Sequence, residues 1–138
     1  MSNERVALDI TIPSDVSEIE RVVELVRREC EAADVSPPKC AFNVRVAVTE
    51  ALSNAILRGN TDPGQQVRVR AAVRADAFVV DVVDEGEGFD LDESTGDPTT
   101  PEGILSEDGR GLFLMQSLMD RVERFQNNGN VVRMMLRK

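Results

Sequence analysis

The sequence predicts an α/β (α+β) two-layer sandwich, in which a mixed, mainly antiparallel sheet carries helices on one face. Three observations predict this fold: the order of the elements, the alternation of apolar and polar residues in the strands, and helical spacing between them. The order is strand, helix, helix, two strands, loop, helix, two strands. With 138 residues, 41% hydrophobic, the chain is expected to form one domain over residues 1–138.

The first half of the chain predicts one strand and two helices. Apolar and polar residues alternate over residues 6–12, which indicates a half-buried strand that Pro13 ends. Ser14 and Asp15 are N-cap types before an amphipathic helix, whose apolar positions recur at helical spacing up to Cys30. The prolines at 37 and 38 favour a second helix over residues 39–58, which is apolar over most of its girth and therefore expected to be buried.

The second half predicts four strands, a long polar loop and a helix. Residues 65–74 alternate cleanly, and residues 78–84 are largely β-branched, as expected for a central strand. Residues 85–110 form a polar, glycine-rich segment whose length is typical of a functional or a disordered loop. A helix over residues 111–119 and strands over residues 121–126 and 131–136 complete the domain.

Composition excludes several classes of function. The net charge of −9 disfavours direct binding to nucleic acid or to an anionic membrane. The chain has no histidine, so it cannot build a Ser-His-Asp or Cys-His nucleophile. Cys30 and Cys40 are expected to be buried, reduced thiols. No signal peptide or membrane-spanning run is visible, so we expect a cytoplasmic protein.

Three clusters of residues could carry chemistry. Glu50 and Asn54 lie one helical turn apart, which places a carboxylate beside a neutral amide oxygen suited to Mg²⁺. Asp84-Glu-Gly86-Glu-Gly88 follows the most apolar strand, and its carboxylate suits an exocyclic amine such as that of adenine. Taken singly, the first cluster is also compatible with two polar residues on a solvated helix face. The second is also compatible with an ordinary glycine-rich turn after a strand.

The third cluster, Gly109-Arg110-Gly111-Leu112, lies between the long loop and the following helix. Backbone N–H groups at a helix N-terminus favour phosphate, and Arg110 could reach a terminal phosphate. Neither the Rossmann fingerprint nor the Walker A pattern is present, which excludes the corresponding nucleotide-binding loops.

In this order, the three clusters resemble the N, G1 and G2 boxes of the GHKL (Bergerat) ATPase superfamily, which includes gyrase, sensor histidine kinases and MutL. The flanking residues are similar to the RsbW/SpoIIAB anti-sigma serine kinases, in particular Val48-Thr-Glu50-Ala-Leu-Ser-Asn54-Ala55 and Gly109-Arg-Gly111-Leu-Phe-Leu-Met115. The resemblance covers nearly the whole chain, from about residue 6 to residue 136.

The resemblance implies roles for individual residues. Asn54 would bind the Mg²⁺ that bridges the ATP phosphates, Glu50 would act as the base toward a substrate serine, and Asp84 would hold the adenine amine. It implies further contacts to the nucleotide from Arg58, Gly86, Gly88, Gly109, Arg110, Gly111 and Leu112. Residues of about 90–110 would form a mobile ATP lid. Many family members carry histidine where this chain has Arg58, which can still pair with a phosphate.

The resemblance also implies partners. It implies an ATP-dependent serine/threonine protein kinase that sequesters a sigma factor and phosphorylates an anti-anti-sigma (STAS-type) protein. A homodimer is expected, with its interface on residues 67–74 or on the first strand and helix. Two alternatives stay open: an ATP-gated binding regulator without kinase activity, and a stand-alone ATPase domain of the histidine-kinase type.

Overall fold

The computed structural model describes residues 4–86 and 107–138, the first four of the latter in their backbone only. The described strands are β1 (Arg5–Pro13), β2 (Gln66–Val73), β3 (Ala77–Asp84), β4 (Arg121–Gln126) and β5 (Asn130–Arg137). The described α-helices are α1 (Ile19–Ala32), α2 (Arg45–Asn54) and α3 (Glu107–Leu118). None of the helices in these ranges is both long and apolar enough to cross a membrane.

The strands form one sheet in the order β1-β2-β3-β5-β4, with helices packed against it, so the predicted two-layer fold is confirmed. All pairings between the described strands are antiparallel, where a mixed, mainly antiparallel sheet was expected. The reason is the insertion of β5. The chain returns from β3 through α3 to a parallel β4, but β5 lies between those two strands and is antiparallel to both.

Helix α2 is the centre of the helical layer. It continues at both ends into π-helical segments, Lys39–Val44 and Ala55–Gly59, so the helix spans the range that the sequence predicts. Its inward residues are all at most 1% exposed, namely Val44, Ala47, Val48, Ala51 and Leu52. They pack with α1 and the inner face of the sheet in one hydrophobic core, as the apolar girth of the helix predicts.

Local sequence explains the elements around α2. The Asp15 side chain accepts a hydrogen bond from the backbone N–H of Ser17 (2.9 Å), which caps the 3₁₀ turn Val16–Glu18 that leads into α1. In β2, Val67 and Val69 face the core while Arg68 points away from it, as their alternation predicts.

The two cysteines lie in the same core, where α1 meets the start of the second helix. Cys30 and Cys40 are both buried and both free, as predicted, and their sulfur atoms lie 2.7 Å apart. Burial raises the pKa of each thiol. These thiols therefore behave as small apolar groups of the core.

The outer face of the sheet, opposite the helices, carries paired charges. One row of directly opposed residues crosses every strand of the sheet and alternates in sign: Asp9, Arg70, Asp81, Arg133 and Glu123. At its centre the Arg133 guanidinium donates two hydrogen bonds to the Asp81 carboxylate (2.8 and 2.9 Å). The residues that the sequence predicts to carry chemistry lie elsewhere, on α2 and at one end of the strands.

Candidate functional site

Glu50 and Asn54 lie on the outer side of α2, next to α3. Their spacing of four residues in a regular α-helix places both side chains on one face, and both are half-buried. Helix α3 packs against this face at Gly111: a β-carbon added there would lie 3.2 Å from Asn54 Nδ2 and 3.2 Å from Glu50 Oε2. The fold therefore brings the first and third predicted clusters together.

The second cluster lies at the end of β3. Asp84 is only 4% exposed, and its Oδ1 accepts hydrogen bonds from the Gly86 backbone N–H (2.9 Å) and from Asn130 Nδ2 (2.7 Å). Burial raises the pKa of the Asp84 carboxyl, and the two hydrogen bonds lower it by less, so the pKa stays above its ordinary value. Among the described residues no cation pairs with Asp84, and such a buried carboxylate is costly, which is typical of a functional site.

Two glycines let the end of α2 approach Asp84. A β-carbon at Gly59 would overlap the Asp84 carboxylate, and one at Gly86 would overlap the Gly59 carbonyl oxygen. Gly59 ends the π-helical segment that follows Asn54. Such wide turns are frequent at functional sites, and here the turn places helix backbone directly against the strand end.

A polar network, which the sequence analysis did not predict, holds the segment after Asp84. Asn60 is 8% exposed, and its Oδ1 accepts a hydrogen bond from the Glu85 backbone N–H (2.8 Å). Its Nδ2 donates to Ser14 Oγ and to the Gln66 carbonyl, each at 3.1 Å. Asn60 and Asn130 both read as ordinary turn residues in the sequence, since their partners lie far away in the chain.

The start of α3 differs from the prediction. The helix begins at Glu107, four residues before Gly111, so the last residues of the predicted lid are helical. Because the helix begins before Gly111, the N–H of Gly111 lies within the helical ladder and not among the unbonded groups of the first turn. Acidic residue types at 107 and 108 suit the positive end of the helix dipole, which gives a physical reason for the earlier start.

The remaining predicted residues have varied positions. Arg58 lies in the last turn before Gly59 with an exposed side chain. Leu112 is 8% exposed and packs in the hydrophobic core. Gly109 and Arg110 lie in the first turn of α3, and Gly88 lies outside the described residues.

The arrangement suits a nucleotide with its metal. Glu50 and Asn54 lie in the C-terminal half of α2, and Gly59, which meets Asp84, ends the π-helical segment that follows. One continuous helix therefore joins a carboxylate-and-amide end to the buried Asp84 end. The Asp84 end offers an acceptor in a backbone cradle that a β-carbon would fill. The other end offers hard oxygen atoms, which Mg²⁺ prefers, on side chains that no described residue hydrogen-bonds.

The sequence profile of the histidine kinase-like ATPase domain matches residues 12–136, and the chain belongs to this family. The predicted membership of the GHKL superfamily is thereby confirmed.

Curated relatives place the chain within the family more narrowly. It is 40% identical over 98 residues to the serine-protein kinase RsbW of Bacillus velezensis, covering 67% of this chain and 61% of that protein. Identity to RsbW of Bacillus subtilis is 41% over 95 residues, covering 64% and 59%. Identity to the anti-sigma F factor of Clostridium acetobutylicum is 30% over 97 residues, covering 70% and 68%. The chain spans about three fifths of the length of the RsbW proteins that it matches.

Proposed function

We propose that this chain is an ATP-dependent serine/threonine protein kinase that acts as an anti-sigma factor. The observation that carries the proposal is the approach of Gly111 to Glu50 and Asn54, on the same helix whose far end meets the buried Asp84. The relatives named serine-protein kinase and anti-sigma factor support this activity.

In this proposal Asp84 recognises the adenine ring. An ionised carboxylate only accepts hydrogen bonds, and Asp84 Oδ1 already receives two. Oδ2 then accepts one from the exocyclic amine of adenine. Gly86 and Gly59 keep side chains out of the space beside it.

The side of α2 that carries Glu50 and Asn54 would hold the phosphates. Asn54 Oδ1 is the protein ligand proposed for Mg²⁺, which neutralises charge on the β- and γ-phosphates when bound. Glu50 accepts the proton of the substrate hydroxyl as the serine oxygen bonds to the γ-phosphorus and ADP leaves. The N–H groups at the start of α3, and Arg110, are proposed to contact the phosphates.

The proposed partners are a sigma factor, bound in one state, and an anti-anti-sigma (STAS-type) protein, phosphorylated in another. We further propose a cytoplasmic homodimer. Strand β2 lies inside the sheet, between β1 and β3. Only its outer face, with Arg68 and Arg70, could then contribute to such an interface.

Calorimetric titration of ATP and ADP, with and without Mg²⁺, tests the nucleotide site. We expect Asp84→Ala to weaken ATP binding at least hundredfold, because a buried acceptor for the adenine amine is lost. The matched control is Asp9→Ala, which removes an aspartate from the outer face, where it pairs with Arg68. Wild-type protein that does not bind ATP, or equal affinity in both variants, would contradict the proposal.

Transfer of labelled γ-phosphate to an added STAS-domain protein tests the kinase step. We expect Glu50→Gln to slow transfer by about 10²- to 10⁴-fold, because the amide cannot accept the hydroxyl proton, while ATP affinity is kept. Tight binding of the STAS protein without transfer by the wild type would instead support the ATP-gated regulator. Label on a histidine of an added acceptor domain would support a histidine-kinase-type domain.

A further inference from the structure

Asn130, the first residue of β5, pairs with Asp84, the last residue of β3. The two residues lie directly opposite in the register of the sheet and are 3% and 4% exposed. Asn130 Nδ2 donates one hydrogen bond to Asp84 Oδ1 (2.7 Å) and another to the Gly86 carbonyl oxygen (3.1 Å). One amide group thus holds both the carboxylate and the backbone two residues after it.

The orientation of this amide is fixed by its neighbours. A carboxylate and a carbonyl can only accept, so the NH₂ group of Asn130 must face Asp84 and Gly86. On the opposite side, Gln126 Nε2 donates to Asn130 Oδ1 at 3.4 Å. A flipped amide would place an oxygen against two acceptors, which is unfavourable in a buried site.

The pairing leaves one oxygen of Asp84 for a ligand. Both donors that the described part of the chain supplies to the carboxylate bind Oδ1. Oδ2 packs against Gly59, so closely that a β-carbon there would overlap it, and it receives neither of these hydrogen bonds. The hydrogen bond from Asn130 also lowers the pKa of Asp84 against the effect of burial, which favours the ionised, accepting form.

We propose that Asn130 is a positioning residue that sets the base specificity of the site. By holding Oδ1, it presents Asp84 Oδ2 as an acceptor toward position 6 of a purine, and so selects the 6-amino group of adenine over the 6-oxo group of guanine. The inference rests on the proposed function, in which Asp84 binds the base.

The selectivity follows from the edges of the two purines. Adenine presents the N6 amine as a donor, whereas guanine presents the O6 oxygen as an acceptor. An ionised acceptor attracts the first and repels the second. Without Asn130, the carboxylate loses a donor, can rotate, and is protonated more readily, so that it discriminates less between the two bases.

The test is the ratio of ATP to GTP affinity, measured by calorimetry on the folded wild type and on Asn130→Ala. We expect the ratio to fall about tenfold in Asn130→Ala, mainly through weaker ATP binding. Asn130→Ser retains a hydroxyl donor and is expected to keep a ratio closer to that of the wild type. It also provides the measurement if the alanine variant does not fold.

The matched control is Asn60→Ala. Asn60 is also a buried amide at this edge of the sheet, but it holds Glu85, Ser14 and Gln66 and makes no hydrogen bond to Asp84. We expect this variant to melt at a lower temperature with an unchanged ATP/GTP ratio. An unchanged ratio in Asn130→Ala, or an equal fall in Asn60→Ala, would overturn the inference. Wild-type ATP binding that survives Asp84→Ala would instead overturn the adenine site itself.

Discussion

The two polar regions of the candidate site, Asp84 at the end of β3 and the Glu50–Asn54 pair on α2, are built in different ways. At the strand end, Asp84 is 4% exposed and is enclosed by the backbone of Gly59 and Gly86. At the other end, Glu50 and Asn54 are half-buried side chains on a helix surface that face a second helix. At the Asp84 end, backbone packs against a carboxylate. At the Glu50 end, the backbone of α3 at Gly111 contacts only the polar tips of two side chains.

This difference predicts how each end tolerates change. A buried carboxylate has little freedom to move, so a single added carbon beside it must displace backbone. Side chains at a helix surface can change rotamer, so an added carbon there is accommodated. The Asp84 end should therefore couple function to stability, whereas the Glu50 end should separate them. Alanine substitutions at the two contact glycines test this comparison.

Gly59→Ala is expected to have the largest effect on stability. The added β-carbon would overlap the Asp84 carboxylate, which is held by Asn130 and Gly86 and cannot retreat without losing those hydrogen bonds. We expect a loss of about 3 kcal/mol in the free energy of unfolding, together with loss of ATP binding. Urea denaturation and calorimetric titration measure the two effects.

Gly64→Ala is the control for the intrinsic effect of the substitution, since nothing lies within 4 Å of a β-carbon added there. We expect that variant to unfold within about 0.5 kcal/mol of the wild type. A Gly59→Ala protein as stable as the control would show that the carboxylate end is loosely packed.

Asp84→Asn should separate binding from stability at the buried end. Because burial raises the pKa of Asp84, the folded state binds its proton more tightly than the unfolded state. The stability of the wild type therefore falls as pH rises from the ordinary pKa of the carboxyl to its raised pKa in the folded state. Above the raised pKa, the charged carboxylate lowers the stability by a constant amount. We expect Asp84→Asn to be about 1 kcal/mol more stable than the wild type at pH 7, with the difference vanishing at low pH.

The same variant should bind ATP at least hundredfold more weakly. Its amide oxygen must stay toward Asn130 and the Gly86 N–H, so its NH₂ group replaces the acceptor proposed for adenine. Denaturation from pH 4 to pH 8 and ATP titration at pH 7 check both expectations. Lower stability than the wild type at pH 7 would mean that the hydrogen bonds to the carboxylate outweigh its desolvation.

Most of the fold could be predicted because its signals are local. Alternation placed β1 and β2, and a run of β-branched residues placed β3, each within a residue or two. Helical spacing placed the buried helix between residues 39 and 58. The start of α3 was wrong, since glycines at 109 and 111 resemble a helix boundary more than a helix interior. Strand order was out of reach, because the pairing of β5 between β3 and β4 depends on contacts far apart in the chain.

The candidate site divides in the same way. Glu50 and Asn54 were found because a spacing of four residues is a local property of a helix. Asn130 was missed because its role depends on the pairing of residue 84 with residue 130. The contact of Gly59 with Asp84 was missed, since it requires the π-helical turn before it. Sequence thus predicted the groups proposed for chemistry, but not those that hold them.

Gly111→Ala should have the smallest effect and completes the comparison. Its β-carbon would lie 3.2 Å from Asn54 Nδ2 and from Glu50 Oε2, a tight contact that a small rotation of either side chain relieves. Alanine is also about 1 kcal/mol better than glycine within a helix. We therefore expect unfolding within about 0.5 kcal/mol of the wild type, with a severalfold slower phosphotransfer as Glu50 and Asn54 shift. Thermal melting and the transfer assay measure these effects, and a destabilisation as large as that of Gly59→Ala would mean that both ends are equally rigid.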